Sequence, residues 1–402
     1  MTGSAYIFDL FADGFADDPY PHYAELRAAA PAHEHPLGFW LLSRYDDVAR
    51  VQRGHSVDEQ NLTTLPAWKR DSDKLGKANR MMGGLSLLDR DPPDHTRLRK
   101  LVTSVFTRRA VEALEPRITE LVDDALERMA AAGRADVVAE FAFPLPFTVI
   151  SELLGIPAVE HDRLRELTGT LALGLEPLPS PDLQARTREA SSELTAMIAD
   201  LVGWKRARPD DDLFTALLSA EDNGDVLSEE ELVAQVAFLY VAGHETTVNL
   251  IAGGLLALLR HPGQYALLRR NPELAGNAVE ELLRYDTPVH LMRRITVEPV
   301  AVRGSVIPAG SWVVACLAAA NRDPEFWGAD ADALRIDREG AHQNVSFGAG
   351  VHHCLGAALA RLEARVAFTR FSRRFAQPKL EGVTWNGRIN VRGPATLPVT
   401  VR

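Results

Sequence analysis

The chain has 402 residues, of which 46% are hydrophobic and 25% charged, a composition typical of globular proteins with a large core. Its net charge of −11 argues against a nucleic-acid partner. Residues 1–20 contain neither a basic leader nor an apolar run, so we expect no signal peptide, no membrane anchor and a cytoplasmic location. Because no linker, repeat or low-complexity tract divides the chain, we expect one domain over residues 1–402, and a monomer.

Helical spacing dominates the chain. Apolar periodicity and composition predict helices over residues 21–30, 94–107, 109–132, 157–173, 183–208 and 228–260. Strand signals are restricted to residues 39–43, to a β-rich stretch over 295–317 broken by two turns, and to an extended segment over 389–401. The pattern predicts a mainly α fold with small peripheral sheets.

The longest predicted helix carries polar residues in an apolar setting. Ser228 and Glu231 form a capping-box pattern at its start, and His261-Pro262-Gly263 ends it. Its middle is apolar nearly all round, which predicts burial. Within it lies Ala242-Gly243-His244-Glu245-Thr246-Thr247, and a carboxylate and hydroxyls are costly in such surroundings unless they have partners or a function.

Two interpretations of this polar segment stay open. Glu245 and Thr246 either satisfy each other in the core or take part in chemistry, since structural networks also hold buried acids. Thr246 is spaced to bond back to the carbonyl of Ala242 and to loosen the helix there. The small residues Ala242 and Gly243 would leave room for a diatomic ligand. His244 and Glu245 do not begin a zinc-protease motif, because position 248 is valine.

A second segment, Phe347-Gly348-Ala349-Gly350-Val351-His352-His353-Cys354-Leu355-Gly356, leads two glycines into a lone cysteine, and an amphipathic stretch follows. Glycines allow the backbone to approach a flat ligand closely. A helix that starts just after Cys354 directs amide groups and its dipole towards the sulfur, which favours the thiolate. A thiolate on haem iron donates electron density that promotes O–O cleavage.

Other interpretations of the cysteine segment fit less well. The third glycine of a dinucleotide fingerprint would fall at position 353, which is histidine. A zinc site would need a second pair of cysteines, whereas the other cysteine, Cys316, lies in an apolar run that predicts a core residue. A buried, inert Cys354 remains the alternative. An iron–sulfur cluster needs four thiolates, so electrons for any redox chemistry come from another polypeptide.

These segments resemble the cytochrome P450 family. The cysteine segment is similar to its haem-ligand loop, and residues 242–247 to its oxygen-activation motif. Glu281-Leu282-Leu283-Arg284 resembles its structural Glu-x-x-Arg pair. By spacing, the third basic residue of that network falls at Ala333, so this partner is either absent or replaced, with Arg335 as the nearest substitute. The resemblance runs from Asp17 to the C-terminus and implies the mainly helical P450 fold.

By this resemblance Cys354 ligates the iron of haem b, and Glu245 and Thr246 form the acid–alcohol pair that relays protons during dioxygen activation. The residues expected to bind the haem are His95, Arg99, Ala242, Arg294, Phe347, Gly348, His352, Cys354 and Gly356. The residues expected to line the substrate pocket are Met82, Leu88, Phe238, Val241, Ala242, Val289, His290, Met292, Asn390 and Val391. Within this pocket, His290 and Asn390 are expected to offer one hydrogen bond each to a ketone or hydroxyl.

The implied function is that of a monooxygenase, which inserts one oxygen atom of O2 into a medium-sized apolar molecule such as a steroid, terpenoid, polyketide or aromatic metabolite. We expect electrons from an acidic ferredoxin and its NADPH- or NADH-dependent reductase, steered by basic residues on the cysteine side. These basic residues are Arg97, Arg99, Lys100, Arg108, Arg109, Arg361, Arg365, Arg370, Arg373 and Arg374. The alternatives are oxidative coupling, nitration or peroxide-driven oxidation in the same fold, and a non-catalytic haem sensor.

Overall fold

Helices form most of the molecule in the computed structural model, which describes residues 6–58, 84–176, 180–222 and 224–401. In chain order the α-helices are α1 (Tyr20–Ala29), α2 (Tyr45–Gly54), α3 (Asp94–Val105), α4 (Arg108–Ala113), α5 (Glu115–Ala132), α6 (Pro144–Leu153), α7 (His161–Leu173), α8 (Pro181–Ala207), α9 (Leu213–Leu218), α10 (Glu229–Arg260), α11 (Pro262–Arg270), α12 (Ala275–Tyr285), α13 (Leu317–Ala320), α14 (Pro324–Trp327) and α15 (Ala357–Arg374).

The strands are short. They are β1 (Ala32–His35), β2 (Phe39–Leu42), β3 (Arg134–Asp136), β4 (Glu221–Asp222), β5 (Asp225–Val226), β6 (Leu291–Ile295), β7 (Val300–Val302), β8 (Ser305–Ile307), β9 (Trp312–Cys316), β10 (Lys379–Leu380), β11 (Thr384–Trp385), β12 (Pro394–Thr396) and β13 (Pro398–Thr400). A four-stranded sheet has the order β1-β2-β9-β6, with β2 and β9 parallel and the other pairs antiparallel. A three-stranded sheet, β10-β13-β3, and three two-stranded pairs complete the set in the described chain.

Helix α10 forms the centre of the fold. The Ser228 hydroxyl accepts a hydrogen bond from the Glu231 amide and the Glu231 carboxylate accepts one from the Ser228 amide, so the predicted capping box is confirmed. Its 32 residues span about 48 Å at 1.5 Å each. Between Leu232 and Leu258 nearly every side chain is buried, against α6, α7, α8 and α15. The main hydrophobic cluster around it extends from Leu87 to Val401.

The four-stranded sheet has a hydrophobic cluster on each face. Successive residues of β9 point to opposite faces, so Val314 and Cys316 pack in one cluster while Val313 and Ala315 pack in the other. Cys316 is completely buried, which confirms the prediction of a core residue, and this burial raises the pKa of its thiol to about 12.

Several predicted boundaries change for local reasons. The helix predicted over 109–132 is divided into α4 and α5, and Pro116, which has no amide hydrogen, lies in the first turn of α5. The helix predicted from residue 157 begins at His161, after a short 3-10 turn. Helices α2, α6, α9, α11, α13 and α14 were not predicted. Among the described residues, none of the helices combines the length and the apolar character needed to span a bilayer.

One buried acid in this fold has no partner. Glu363 on α15 is 1% exposed, and within the described chain no group donates a hydrogen bond to either carboxylate oxygen. Desolvation therefore raises the pKa of Glu363 well above its usual value. The folded protein keeps this carboxyl protonated to a higher pH than the unfolded chain does, so the buried acid reduces stability as the pH rises above its ordinary pKa.

We expect Glu363→Gln to stabilise the protein more at pH 7.5 than at pH 5, because the amide has no proton to lose. One pKa unit corresponds to about 1.4 kcal/mol, so the gain in the free energy of unfolding should differ by more than about 1 kcal/mol between the two conditions. Urea unfolding at both pH values measures this difference. The exposed acid Glu127 on α5 provides the control, and Glu127→Gln should change little at either pH. An equal gain at both pH values for Glu363→Gln would contradict the assignment.

Candidate haem-thiolate site

The cysteine loop, residues 347–356, has a conformation that requires its glycines. Gly348 and Gly350 have φ angles of +71° and +73°, which side chains rarely tolerate. A Cβ atom at Gly350 would lie 2.9 Å from the Cα of Arg53 at the end of α2. The Cys354 amide donates to the carbonyl of Phe347 at 2.9 Å and closes the loop. The loop therefore holds Cys354 directly before α15, as the sequence predicts.

Cys354 is an exposed residue, yet the surrounding protein desolvates its sulfur and raises the pKa of its thiol. The amides of Gly356 and Ala357 and the charges of Arg99 and Arg361 lower that pKa but do not cancel the effect of desolvation. A cation bonded to the sulfur would supply the missing stabilisation, because coordination to a metal deprotonates a thiol.

Buried nitrogen atoms without partners lie near the cysteine loop. Within the described chain, His95 Nδ1 and the Nε and Nη2 atoms of Arg294 make no hydrogen bond, although both residues are buried. Burial lowers the pKa of Arg294 to about 10. The ring of His352 lies 4.3 Å from that of His95, and burial followed by the charge of Arg294 lowers the pKa of His352 to about 4. Such desolvated donors are costly without an anion, and carboxylates would satisfy them.

Arg99 contacts the cysteine loop directly. Its guanidinium donates to the carbonyls of Val351 at 3.0 Å and His353 at 2.6 Å. These bonds hold the loop, and the contact of Arg99 with a haem propionate stays a prediction. The helix carrying Arg99 passes close enough to the loop for these bonds, which spacing along the sequence does not indicate.

One face of α10 is open at the polar segment. Ala242 is exposed and Glu245 and Thr246 are partly exposed, whereas His244 and Thr247 are buried. The Thr246 hydroxyl donates to the carbonyl of Ala242 at 3.2 Å, as predicted. The catalytic candidates Glu245 and Thr246 therefore share a face of the helix that is not packed in the core.

The structure changes two expectations about this segment. A Cβ atom at Gly243 would lie 3.0 Å from two side-chain carbons of Ile150, so Gly243 makes room for α6 and not for a ligand. Glu245 Oε2 accepts a hydrogen bond from Arg388 at 2.9 Å, while Thr246 bonds the helix carbonyl. The interpretation in which Glu245 and Thr246 satisfy each other is therefore wrong, and no signal in the sequence pointed to Arg388.

The Glu281–Arg284 pair is fully buried and has a third basic partner. Arg284 donates to both carboxylate oxygens of Glu281 at 2.6 and 2.8 Å, and Arg338 donates to one of them at 3.1 Å. The expectation of Arg335 is wrong, because its amide binds Glu281 while its side chain turns outward to Asp330.

This buried network supports the cysteine loop. Arg284 donates to the carbonyl of Asn321, and the Asn321 side chain bonds the amide of Val345 and the hydroxyl of Ser346 just before the loop. The carbonyl of Ala333, at the position expected to carry the third basic residue, accepts from Arg284 instead. The network therefore holds in place the residues that immediately precede the cysteine loop.

The predicted pocket residues separate into three groups. Met82 lies outside the described residues. Leu88 and Ala242 are exposed, and Phe238, Val289, Met292 and Asn390 are partly buried. Val241, His290 and Val391 are at most 2% exposed, so they pack in the interior.

Two polar side chains expected to bind substrate instead hold the fold together. His290 Nδ1 contacts the hydroxyl of Tyr23 at 3.2 Å, and burial lowers the pKa of this imidazole to about 3. The Asn390 amide accepts from the Leu291 amide and donates to the carbonyl of Leu175, both at 2.9 Å. The Asn390 side chain is thus used within the protein and His290 is buried, and for both residues a hydrogen bond to a substrate stays a prediction.

The basic residues on the cysteine side are partly neutralised. At least five of the ten form ion pairs with residues that the structure describes, so the surface is less basic than the sequence implies. These pairs are Arg97–Glu231, Arg108–Glu112, Arg361–Glu280, Arg365–Glu115 and Arg370–Asp123. Val351, at 46% exposed, adds an apolar contact point on the cysteine loop.

A haem fits this donor set. Cys354 offers a sulfur ligand, His95 and Arg294 offer unpaired donors for acidic substituents, and Gly348 and Gly350 keep Cβ atoms out of the loop. A flat metal macrocycle that carries carboxylates satisfies all of these features. The fold and the site together define a haem-thiolate protein.

Comparison with known proteins gives the same class. A model described as cytochrome P450 matches residues 183–383. The chain is 42% identical to cytochrome P450 107B1 of Saccharopolyspora erythraea, covering 99% of this chain and 98% of that protein. It is 43% identical to vitamin D(3) 25-hydroxylase of Pseudonocardia autotrophica, covering 98% and 96%. The structure is similar to that of cytochrome P450 PksS of the Bacillus subtilis bacillaene polyketide synthase, with a TM-score of 0.88 and 35% identity over 98% and 100% of the chains.

The chain therefore belongs to the cytochrome P450 family and is a P450 monooxygenase, which confirms the predicted family, fold class and enzyme class. A haem-iron cofactor follows from membership of the family.

We expect Arg338→Met to lower the free energy of unfolding by about 3 kcal/mol, because it leaves part of the fully buried Glu281 carboxylate unpaired. Arg335→Met is the matched control: its side chain is half exposed and pairs with an exposed acid, so it should cost at most about 1 kcal/mol. Urea unfolding of both variants measures the two losses. A larger loss for Arg335→Met would restore the assignment made from the sequence.

Proposed function

We propose that this protein binds haem b through Cys354 and inserts one oxygen atom of O2 into a medium-sized apolar molecule. The observation that carries the proposal is the exposed cysteine at the end of a glycine-shaped loop, close to the unpaired donors of His95 and Arg294. Bound haem would supply the oxidising chemistry. Phe347, Gly348, Gly356 and Ala242 remain predicted haem contacts.

Each remaining side chain of the site has a task in this proposal. His95, Arg294 and His352 hold the propionates, while Arg99 holds the cysteine loop at the carbonyls of Val351 and His353. Thr246 keeps its hydroxyl on the open face of α10. The hydroxyl donates to the carbonyl of Ala242, and its oxygen can accept a further hydrogen bond from a proton donor. Glu245 moves protons between solvent and this hydroxyl. The presence of both Glu245 and Thr246 favours such a relay over oxidative coupling, nitration or peroxide-driven chemistry, which need less proton delivery.

The substrate class is proposed from the pocket and from relatives. The partly buried or exposed candidates Leu88, Phe238, Val289 and Met292 are apolar, and methionine adapts to ligands of varied shape. A similar protein is named for vitamin D(3), and a similar structure belongs to a polyketide synthase system. These names support a steroid-like or polyketide substrate over a small polar one.

A separate ferredoxin and its NADPH- or NADH-dependent reductase are the proposed electron source, because two cysteines cannot hold an iron–sulfur cluster. The ferredoxin would dock beside the exposed Val351, where charge steering is weaker than the count of arginines implies. We also propose a monomeric, cytoplasmic, single-domain protein. The continuous core from Leu87 to Val401 supports a single domain. The two unpaired cysteines support a cytoplasmic location.

We expect the reduced protein under carbon monoxide to show the strongly red-shifted Soret band of thiolate ligation, and Cys354→Ser to lose it. The reason is that a hydroxyl is a far poorer donor to iron than a thiolate. Absorption spectroscopy of the purified holoprotein measures the band. Cys316→Ala removes the other cysteine and should keep the band, whereas a red shift that persists in Cys354→Ser would contradict the ligand assignment.

We expect Thr246→Ala to keep haem binding but to raise the hydrogen peroxide formed per NADPH consumed, because protons then reach the wrong oxygen. The ratio should rise towards its limit of one peroxide per NADPH, since positioned proton-transfer groups contribute roughly 10²–10⁴-fold to the rate of the step that competes with peroxide release. Turnover with a surrogate ferredoxin and reductase measures the ratio.

Thr369→Ala on α15 is the matched control for this variant. Its hydroxyl donates to the carbonyl of Arg365 four residues earlier, the same type of bond that Thr246 makes. Both variants should lose about 1 kcal/mol of stability, and Thr369→Ala should leave the peroxide ratio unchanged. Equal peroxide ratios in the two variants would refute the relay role of Thr246.

A further inference from the structure

The C-terminal loop, residues 386–393, crosses α10 directly over the proton-relay acid. Arg388 donates to Glu245 Oε2 at 2.9 Å. One helical turn further on, the Asn249 side chain donates to the carbonyl of Val391, and a Cβ atom at Gly393 would collide with it. Because residues four apart lie on the same face of a helix, the loop contacts α10 along one line.

The loop fixes the backbone of Arg388 through its own hydrogen bonds. The Asn386 side chain accepts from the Arg388 amide at 3.1 Å and donates to the carbonyl of Val391 at 3.0 Å. The Asn386 amide donates to the carbonyl of Gly393 at 3.0 Å, which closes the base of the loop. Gly387 between them has a φ of +68°, which favours glycine. The guanidinium therefore extends from a well-defined turn.

A second acid anchors the same loop from outside. The carboxylate of Glu176, just after α7, accepts hydrogen bonds from the amides of Ile389 at 2.7 Å and Asn390 at 3.2 Å. The Asn390 side chain returns a bond to the carbonyl of Leu175 at 2.9 Å. Desolvation raises the pKa of Glu176, and the amides of the loop followed by the charge of Arg388 oppose that rise without cancelling it.

The Arg388–Glu245 pair is largely shielded from water. The side chains are 14% and 18% exposed, in contrast to the open surface pairs that contribute little energy. Only one oxygen of Glu245 is used, since within the described chain no group donates to Oε1. A carboxylate with one oxygen held and the other open has a defined orientation and a free site for a proton.

We propose that Arg388 is the positioning residue of the proton relay. It holds Glu245 by Oε2, which leaves Oε1 free to accept and release protons for Thr246, the next residue of α10. This inference rests on the proposed function, in which Glu245 delivers protons. It deepens that function by adding a residue from the C-terminal loop.

The test compares Arg388→Gln, Arg388→Lys and Arg44→Gln in the holoenzyme with a surrogate ferredoxin and reductase. Peroxide per NADPH and the solvent deuterium isotope effect on NADPH consumption are measured without added substrate, where O2 is reduced either to peroxide by one NADPH or to water by two, so the identity of the substrate does not matter. Arg44 is the matched control, since it forms an ion pair with Asp323 at 2.7 Å and is 15% exposed, but it does not contact Glu245. We expect Arg388→Gln to raise the peroxide ratio towards its limit of one, but by less than Thr246→Ala does, because Arg388 positions the proton-transfer group and does not itself carry the proton.

The lysine variant keeps a positive charge near Glu245, so it should give a peroxide ratio between those of the native protein and Arg388→Gln. Arg44→Gln should lower the unfolding midpoint without changing either readout. The unfolding midpoints of Arg388→Gln, Glu245→Gln and the double variant give a measure independent of turnover, and the double variant should lose less than the sum of the two single losses.

The possible results distinguish a failure of the proposed function from a failure of the inference about Arg388 alone. If the native holoenzyme lacks the red-shifted carbon monoxide band, the proposed function fails. If the band is present but Arg388→Gln keeps the native peroxide ratio and isotope effect, the inference fails alone. It also fails if Arg44→Gln changes the ratio as much, or if Arg388→Lys does no better than glutamine. If Arg388→Gln does not fold, Arg388→Lys provides the test. A native peroxide ratio in Arg388→Lys, together with additive losses in unfolding midpoint for Arg388→Lys and Glu245→Gln, would then overturn the inference about Arg388.

Discussion

The desolvated sulfur of Cys354 is the constraint on which the rest of the structure depends. Thiolate character must be maintained where protein has displaced water, and the dipoles and charges around the sulfur do not suffice by themselves. The loop is therefore held from several sides. Helix α2 packs against Gly350, and Arg99 donates hydrogen bonds to two loop carbonyls. The buried Glu281 network holds the residues that precede the loop.

The second centre of the site is the polar segment of α10, where some side chains pack against neighbouring helices and others are left for the proposed proton relay. Gly243 and His244 face the neighbouring helices: Ile150 occupies the space at the glycine, and the histidine bonds the carbonyl of Tyr240 and packs on Phe147. Glu245 and Thr246 take the other side. A single buried helix thus anchors the core and presents two polar groups without leaving them unpaired.

Ion pairing links distant parts of the chain to both centres. Arg338 completes a buried network behind the cysteine loop, and Arg388 reaches the acid on α10 from the C-terminal loop. Glu176 ties that loop to the end of α7. Removing one member of such a pair leaves a desolvated charge, so these contacts constrain the fold more than their number suggests.

The sequence by itself determined the features that depend on a few neighbouring residues. The capping box at Ser228, the glycines before Cys354 and the back-bonded Thr246 follow from local spacing, and their order along the chain identified the family. The tertiary structure alone decided which charged and polar groups meet. Arg338, not Arg335, pairs with Glu281; Arg388 pairs with Glu245; and the Asn390 side chain bonds the backbone of Leu291 and Leu175. These contacts depend on how loops return to a helix and on which side of a turn is buried. Spacing along the chain does not encode that path.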